Sequence, residues 1–296
     1  MERLTALRTF VLTAEHRSFA EAARRLRTSP TSVSRGIAEL EQSLGVALLR
    51  RTTRSVNLTP EGAAYLERCR RILEDLDDAD RSLRGEEAEP RGALIVTAPA
   101  VFGRMHVLPI VNGLLGRHPD LRVQLTLSDR FVRLVEEGID VAVRIADLSD
   151  SALHAIRIGE VRRVLVASPS YLDARGEPMS VRHLHEHSLI AFETLSDRDG
   201  WRFTEGRAAI RFEPRLATNS VESAIDAALA GIGIARVLSY QVREHVRAGR
   251  LRYILEALEP PPAPVQLVFQ ENRRRAPNVR AFIAAVQDYC RGRGLA

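Results

Sequence analysis

The sequence predicts a basic helix-turn-helix module with a two-stranded wing, then one long helix, then a larger α/β region. Three observations carry that expectation. Charge is segregated along the chain: residues 1–60 sum to +5, residues 61–89 to −5 and the remainder to +5. Apolar residues in the first sixty recur at three- and four-residue spacing behind capping serines. From Ala93 onward, strand-like and helix-like runs alternate.

Composition sets the outer bounds. Of 296 residues, 45% are hydrophobic and 27% charged, the balance of a globular chain. No apolar run approaches the ~18 residues of a membrane span. The opening "MERLTALRTF" lacks the apolar core of a secretion signal. A cytoplasmic protein with no membrane partner is therefore expected. Cys69 and Cys290 do not make a disulfide framework. All 43 basic residues are arginine, a bias that a GC-rich genome produces on any surface, so it assigns no contact by itself.

The elements follow in order. Leu4, Leu7, Phe10, Val11 and Ala14 share one face of a first helix. "SFAEAARRL" opens a second, with Ser18 as cap and Glu21 three residues on, the pattern of a capping box. Its face of Ala22, Ala23 and Leu26 is small enough for close packing. After a four-residue turn, "SPTSVSRGIAEL" starts a third helix, with Ser29 as cap and Pro30 in the first turn. Val33, Ile37 and Leu40 face the core, Thr31 and Arg35 point away, and Ser32 and Ser34 flank them.

That outer face has a use. The second helix of a helix-turn-helix enters the major groove, which admits a backbone closely only where side chains are small. Hydroxyls bond base edges or phosphates, and arginine bonds guanine bidentately. Ser29, Thr31, Ser32, Ser34 and Arg35 are thus the candidate contacts to double-stranded DNA. In "LLRRTTRSVNLTPEG", Leu48 and Leu49, then Val56 and Leu58, flank an arginine-rich turn. Alone, it fits an ordinary basic loop as well as a wing. Beside a helix-turn-helix it fits a wing, with Arg50, Arg51 and Arg54 near the DNA backbone or minor groove.

From Pro60 to about Leu83 the chain reads as one helix. Gly62, Leu66, Cys69, Leu73, Leu76, Asp80 and Leu83 alternate by four and three, a seam of about three heptads. It suits a helix pair between subunits or a helix packed within its own chain. "RGEEAEPRG" then reads as an exposed hinge. Beyond it, "ALIVTA", "LRVQLTL", "DVAVRI", "RRVLVAS" and "LIAF" are strand-like. "HVLPIVNGLLGRH", "RFVRLVEEG", "NSVESAIDAALAG" and "LSYQVREHVRAG" are helix-like. Such alternation predicts parallel sheets covered by helices.

These residues resemble the LysR-type transcriptional regulators. The N-terminal resemblance rests on Phe10 to Glu15, on "SFAEAARRL", and on Ser29, Val33, Ser34, Arg35 and Ile37. It continues through Leu40, Glu41, Leu44, Gly45, Leu48 and Leu49, then Arg54 and Leu58 to Gly62. "LPIVNGLLGRHPDLRVQLTLSDR", "LVEEGIDVAVRI", "RRVLVASPSYL" and "ALAGIGIARV" extend it over nearly the whole chain. The chain departs from the family at Arg17, where Gly is frequent, and at Leu49, where Phe is frequent. It also departs at Pro30, Thr31 and Ser32, where Gln-Pro-Ala is frequent. The last departure falls on the base-reading face.

The resemblance implies a winged helix-turn-helix over 1–59, a linker and dimerisation helix with hinge over 60–89, and an effector-binding domain over 90–296. It further implies that this domain is two-lobed and periplasmic-binding-protein-like (type 2), with lobe I at 90–163 and 268–296 and lobe II at 164–267. The chain then crosses between lobes near Val164 and Leu267. The implied function is a ligand-responsive, sequence-specific regulator that binds an interrupted palindromic promoter site as a homodimer or homotetramer. The implied ligand is a small organic effector, aromatic or carboxylate-bearing, in the cleft between the lobes.

Ligands in α/β folds sit beyond the carboxyl ends of strands. That selects Ala98, Pro99, Ala100 and Phe102 after the first strand, and Ser128 and Arg130 after the second. In the other lobe it selects Phe192 at a strand end and Thr218, Asn219 and Ser220 at a helix start. Asp129, Arg144 and Asp147 lie at neighbouring strand ends. Free amides at the helix starts are expected to hold a carboxylate without a basic side chain.

Other motifs point elsewhere only weakly. His183, His185 and His187 alternate in "RHLHEHSL" and read as a solvated loop rather than a metal site. "GIGIARV" lacks the third glycine and context of a dinucleotide site. No nucleophile–base pair or phosphate loop stands out, so neither an enzyme nor a cofactor or metal is expected. The competing reading is a soluble small-molecule-binding protein, or an enzyme on the α/β lobes, with a non-specific basic N-terminus.

Overall fold

Serine caps and left-handed stops set the helices of the first sixty residues. The computed structural model describes residues 2–51, 56–83, 89–130, 132–146, 153–192, 200–204 and 210–293. The chain divides into two units, residues 1–92 and 93–296.

In the first unit, α1 (Arg3–His16) ends at Arg17, whose φ of 50° is left-handed. α2 (Phe19–Arg25) begins at Ser18, whose hydroxyl accepts the Glu21 amide at 3.2 Å. The Glu21 carboxylate turns instead to Arg24 and Arg25. α3 (Pro30–Leu44) ends at Gly45. β1 (Leu49–Arg51) pairs antiparallel with β2 (Val56–Leu58), matching Leu49 to Leu58 and Arg50 to Asn57.

α4 (Pro60–Leu83) starts under a tight corner. Thr59 Oγ1 accepts the Gly62 amide at 2.9 Å and donates to the Ala47 carbonyl at 2.8 Å. A Cβ on Gly62 would lie 1.9 Å from the Leu48 carbonyl oxygen, so only glycine fits. Leu66 and Cys69 are buried with Phe10, Ile37 and Leu48 in one core, and Leu73 packs against it. Arg8 pairs with Asp77 and Arg70 with Glu15, both at 3.0 Å, lacing α4 to α1. The first half of the expected seam is therefore spent inside its own chain. Leu76 is half-buried, Asp80 is exposed, and the Leu83 side chain lies outside the described residues. Ile72, off that seam, is 48% exposed.

In the second unit, β3 (Gly92–Ala98) leads into the short α5 (Ala100–Phe102), a π-helical turn at Gly103–Val107, and α6 (Leu108–Arg117). β4 (Leu121–Leu127), β5 (Val141–Ile145) and β6 (His154–Val161) follow. Then come β7 (Arg163–Ala167), α7 (Pro169–Arg175), β8 (Leu189–Phe192) and β9 (Leu216–Thr218). The chain ends with α8 (Val221–Leu229), β10 (Ile234–Leu238), α9 (Ser239–Arg247), β11 (Arg252–Ile254), β12 (Ala263–Phe269) and α10 (Pro277–Arg293). No described helix is long and apolar enough to cross a membrane.

The strands form two five-stranded sheets, ordered β4-β3-β5-β12-β6 and β11-β7-β10-β8-β9. They are mixed rather than parallel. β3 runs parallel to β5, and β8 to both β9 and β10, but β12 is antiparallel to β5 and β6, and β7 to β10 and β11. β12 is the strand that returns to the first sheet, and it runs against both its neighbours. It lies wholly in the first sheet, with Leu267 paired to Val143. The second crossing thus falls within residues 255–262, ahead of the expected Leu267; the first falls at Arg162.

The expected helix "RFVRLVEEG" does not form across its described part. Residues 134–138 are a turn, with Val132, Leu134 and Ile139 buried against Ala142 and Val268. Those apolar positions fit a loop that folds back on the sheet. Asp140 anchors that return: its carboxylate accepts the Ile95 amide at 2.8 Å and pairs with Arg273 at 3.0 Å.

Candidate functional site

Two places gather polar chemistry, one in each unit. In the first, α3 presents its outer face. Ser29 Oγ accepts the Ser32 amide at 3.1 Å, and the two hydroxyls lie 2.9 Å apart. Ser29 and Ser32 are therefore engaged with each other as a cap. Thr31 and Arg35 are exposed beside them, and Ser34 is half-buried. Arg35 is 79% exposed and 3.5 Å from Glu39, a solvated i,i+4 pair worth about 0.3–0.5 kcal/mol, which a phosphate or guanine replaces easily.

The wing is tied to the other end of the same helix. Glu41 Oε1 accepts the amides of Leu48 at 2.8 Å and Leu49 at 2.9 Å, tying the end of α3 to β1. Arg50 is exposed on β1. Arg51 lies on β1 by its backbone; its side chain, and the whole of Arg54, lie outside the described residues. The structure thus brings Ser29, Thr31, Ser32, Ser34 and Arg35 onto one helix and Arg50 onto the adjoining strand.

In the second unit a cavity of about 290 Å³ opens where β3, β4 and β5 end, where β7 begins and where β10 ends. Both sheets line it. Such a volume is near the lower end for small-molecule sites and fits a compact ligand. Its walls include Val143, Phe192, Leu238 and Tyr240, with Ser128 and Gln241 as neutral polar groups. Among the described residues four arginines line it, Arg130, Arg144, Arg163 and Arg236, with the carboxylate of Asp129.

Local structure fixes these groups. Arg144 Nη2 donates to the Val132 carbonyl at 2.6 Å, and desolvation pushes its pKa down, partly offset by Glu137. Arg236 is 8% exposed, donates to the Arg202 carbonyl at 3.1 Å and lies over Phe203. Tyr240 is buried edge-on to Phe102 with ring centres 5.5 Å apart, and burial raises its hydroxyl well above the ordinary range. Gln241 Nε2 donates to that hydroxyl at 3.3 Å, while Gln241 Oε1 accepts the Leu238 amide at 2.8 Å.

Of the residues expected to hold a ligand, Ala98, Pro99, Ser128, Arg130 and Phe192 line the cavity, and Ala100, Phe102, Thr218, Asn219 and Ser220 do not. The reasons are local. The Ala100 amide is already capped by Asp129 Oδ1 at 3.2 Å, and desolvation raises the Asp129 pKa. Phe102 is buried behind Tyr240 as support. Thr218 Oγ1 accepts the Ser220 amide at 3.1 Å, and Ser220 Oγ accepts the Ser223 amide at 3.3 Å, so this segment is a cap for α8. Arg144 joins Arg130 at the cavity wall. Arg144 was at a strand end already noted; Asp147 lies outside the described residues.

Arg163, Arg236, Leu238, Tyr240 and Gln241 were missed. The signal for the last three was present, because "GIARVL" is a strand running straight into the helix "SYQVREHVR". Gly231 and Gly233 precede it, and a Cβ on Gly233 would lie 2.2 Å from the Ser188 carbonyl oxygen. Among the described residues no group of three or more His, Cys, Asp or Glu is placed to hold a metal ion. His187 instead meets the Tyr171 hydroxyl at 3.2 Å.

Comparison with known proteins matches both units. Residues 4–63 match the family described as bacterial regulatory helix-turn-helix protein, lysR family, and residues 87–291 match the LysR substrate binding domain. An HTH-type transcriptional repressor of Pseudomonas aeruginosa is 32% identical over 97% of this chain and 92% of its own length. The HTH-type transcriptional activator AaeR of Escherichia coli is 30% identical over 98% of this chain and 94% of its own. Among solved structures, CrgA of Neisseria meningitidis, a LysR-type transcriptional regulator, aligns with a TM-score of 0.61 at 29% identity. That alignment covers 96% of this chain and 98% of CrgA. Full-length AphB of Vibrio cholerae, a virulence activator, aligns with a TM-score of 0.61 at 26% identity, covering 97% and 99%.

Proposed function

The chain belongs to the LysR family of transcriptional regulators, and from that premise we propose that it reads one interrupted palindromic promoter site in response to a small organic effector. The observation that carries the reading is the conjunction of two sites in one chain. A capped helix with a small, hydroxyl-rich outer face is joined to an arginine-bearing wing, and an open-mouthed cavity lies between two sheets.

The parts have distinct roles. Thr31 and Arg35 read base edges. The Ser29–Ser32 hydroxyl pair shapes the N-terminus of α3 toward a phosphate, and Arg50, with Arg51 and Arg54, holds the DNA backbone. Two subunits pair through the part of α4 not used in its own core, which makes the DNA site two-fold. The effector, a compact molecule with an aromatic or carboxylate group, enters the cavity as the two sheets close on it. Binding changes the angle or spacing of the paired recognition helices, a coupling reciprocal in binding free energy. The protein works in the cytoplasm without metal or cofactor and performs no catalysis.

The test is fluorescence anisotropy of the full chain on its own promoter region across a salt series. A specific complex that survives competition by unrelated DNA supports the reading; binding equal on both DNAs overturns it. Arg35→Ala should relax preference at particular bases by about 1–3 kcal/mol. Arg50→Ala should weaken all sequences alike and lower the salt slope by about one.

A further inference from the structure

α3, α8 and α9 all stop in one way. The amide of a left-handed residue returns to the carbonyl three positions back, and the next amide to the carbonyl five back. The residue pairs are Gly45 and Val46, Gly231 and Ile232, Gly249 and Arg250. Each left-handed residue is glycine, which has no Cβ to strain that backbone. α2 stops with the same two bonds, from Arg27 to Arg24 at 3.2 Å and from Thr28 to Ala23 at 3.0 Å. Its left-handed residue is Arg27, at a φ of 53°. α1, the helix before it, stops on the left-handed Arg17. Arginine therefore stands where glycine is the ordinary choice on both sides of α2. The codons of a GC-rich genome supply glycine as readily as arginine, so codon bias does not account for it.

Both side chains are exposed, and among the described residues neither has an ion pair or a side-chain hydrogen bond. Arg24 and Arg25, on α2 itself, are held by Glu21. A cation is favoured at a helix C-terminus, but Arg24 and Arg25 in the last turn already supply that for α2. Position gives the two strained arginines another use. Arg27 lies in the turn that leads to Ser29 and Thr31. Arg17 borders a groove also lined by Asn57, the cross-strand partner of Arg50 in the wing. The first helix of a helix-turn-helix crosses the DNA backbone while the second enters the groove. α2 is that first helix, so phosphates pass close to its ends.

We propose that Arg17 and Arg27 each hold a DNA phosphate, and that the left-handed backbone beneath them is strain retained for those contacts. The proposal rests on the reading of α3 as the recognition helix and deepens it. The grip of each subunit on the DNA backbone extends past α3 and the wing to both ends of α2.

The experiment is fluorescence anisotropy of the full chain on its promoter region and on unrelated DNA across a salt series, with urea denaturation of each variant. Arg17→Gly and Arg27→Gly should each lower the salt slope by about one per subunit bound, and the double variant by about two. The ratio of promoter affinity to unrelated-DNA affinity should stay the same, because phosphate contacts carry no sequence. Urea midpoints should not fall, because glycine suits both stops. If a glycine variant does lose stability, Arg17→Gln and Arg27→Gln, which keep a side chain at each stop, replace it with the same expectation for the slope. Arg24→Gln, at a guanidinium already held by Glu21, should leave the slope unchanged. An unaltered slope in the double variant overturns the proposal and leaves the two arginines to a protein partner. A slope that Arg24→Gln lowers as much overturns it as a general effect of charge, and a changed affinity ratio overturns it in favour of base contacts. The unsubstituted chain tests the regulator reading separately. Its equal binding to both DNAs refutes that reading, whereas a specific complex whose slope ignores both arginines refutes this proposal alone.

Discussion

Arg17 holds a left-handed backbone at the end of α1. A side chain there meets the carbonyl that follows, a strain glycine lacks. Arg17→Gly should stabilise the first unit by about 0.5–1 kcal/mol, net of the added freedom of the unfolded chain, and urea denaturation measures it. Cys69 makes a different case. Burial pushes its thiol up to about 11 from an ordinary value near 9. The folded state therefore keeps the proton that the unfolded state releases, and stability is complete below about pH 9 and lost as pH rises toward 11. The urea midpoint should fall between pH 8 and pH 10.5, and Cys69→Ala should flatten that fall. Iodoacetamide should label native Cys69 at pH 8 only after unfolding.

Among elements, the wing depends on one carboxylate. Glu41 accepts two amides of the strand that carries Arg50. Glu41→Ala leaves both without that acceptor and should cost about 1–3 kcal/mol. Anisotropy should show weaker binding to every DNA sequence alike, because the strand carries Arg50, which we propose holds the DNA backbone. Much at this scale was legible: the Ser18 and Ser29 caps, the core faces of α1 and α3, and the strands β3, β4, β5, β7 and β8, though not β6 between them. What was not legible has physical causes. Thr218–Ser220 looks the same whether its hydroxyls cap a helix or hold a ligand, and only the fold decides. The arginines that line the cavity are four among 43 basic residues, and nothing local distinguishes Arg163 from Arg162, which pairs with Glu259 at 2.8 Å outside the cavity. "RFVRLVEEG" carries helical spacing, but its apolar residues are drawn down onto the sheet.

For the whole molecule, pairing of subunits is the property on which two-fold DNA recognition depends. The core of the first unit absorbs Leu66 and Cys69, which leaves Ile72 on the exposed side of α4. Ile72→Glu should leave the fold intact and shift sedimentation toward the monomer. Promoter affinity should fall at least about tenfold as the second half-site is lost. The opposite result, an unchanged dimer, places the contact elsewhere.

The laced packing of α4 against α1 also has a mechanical side. Recognition helix, wing and the first half of α4 share one core, so they move as a single solid piece. At ~1.5 Å per residue, 24 residues make a rod of about 36 Å. A tilt of about 5° at one end of such a rod moves the other by about 3 Å, close to the ~3.4 Å step of one base pair. On the reading proposed for Arg35, the far end of α4 is thus a tiller, and a turn too slight to disturb any core shifts the base pair that Arg35 meets.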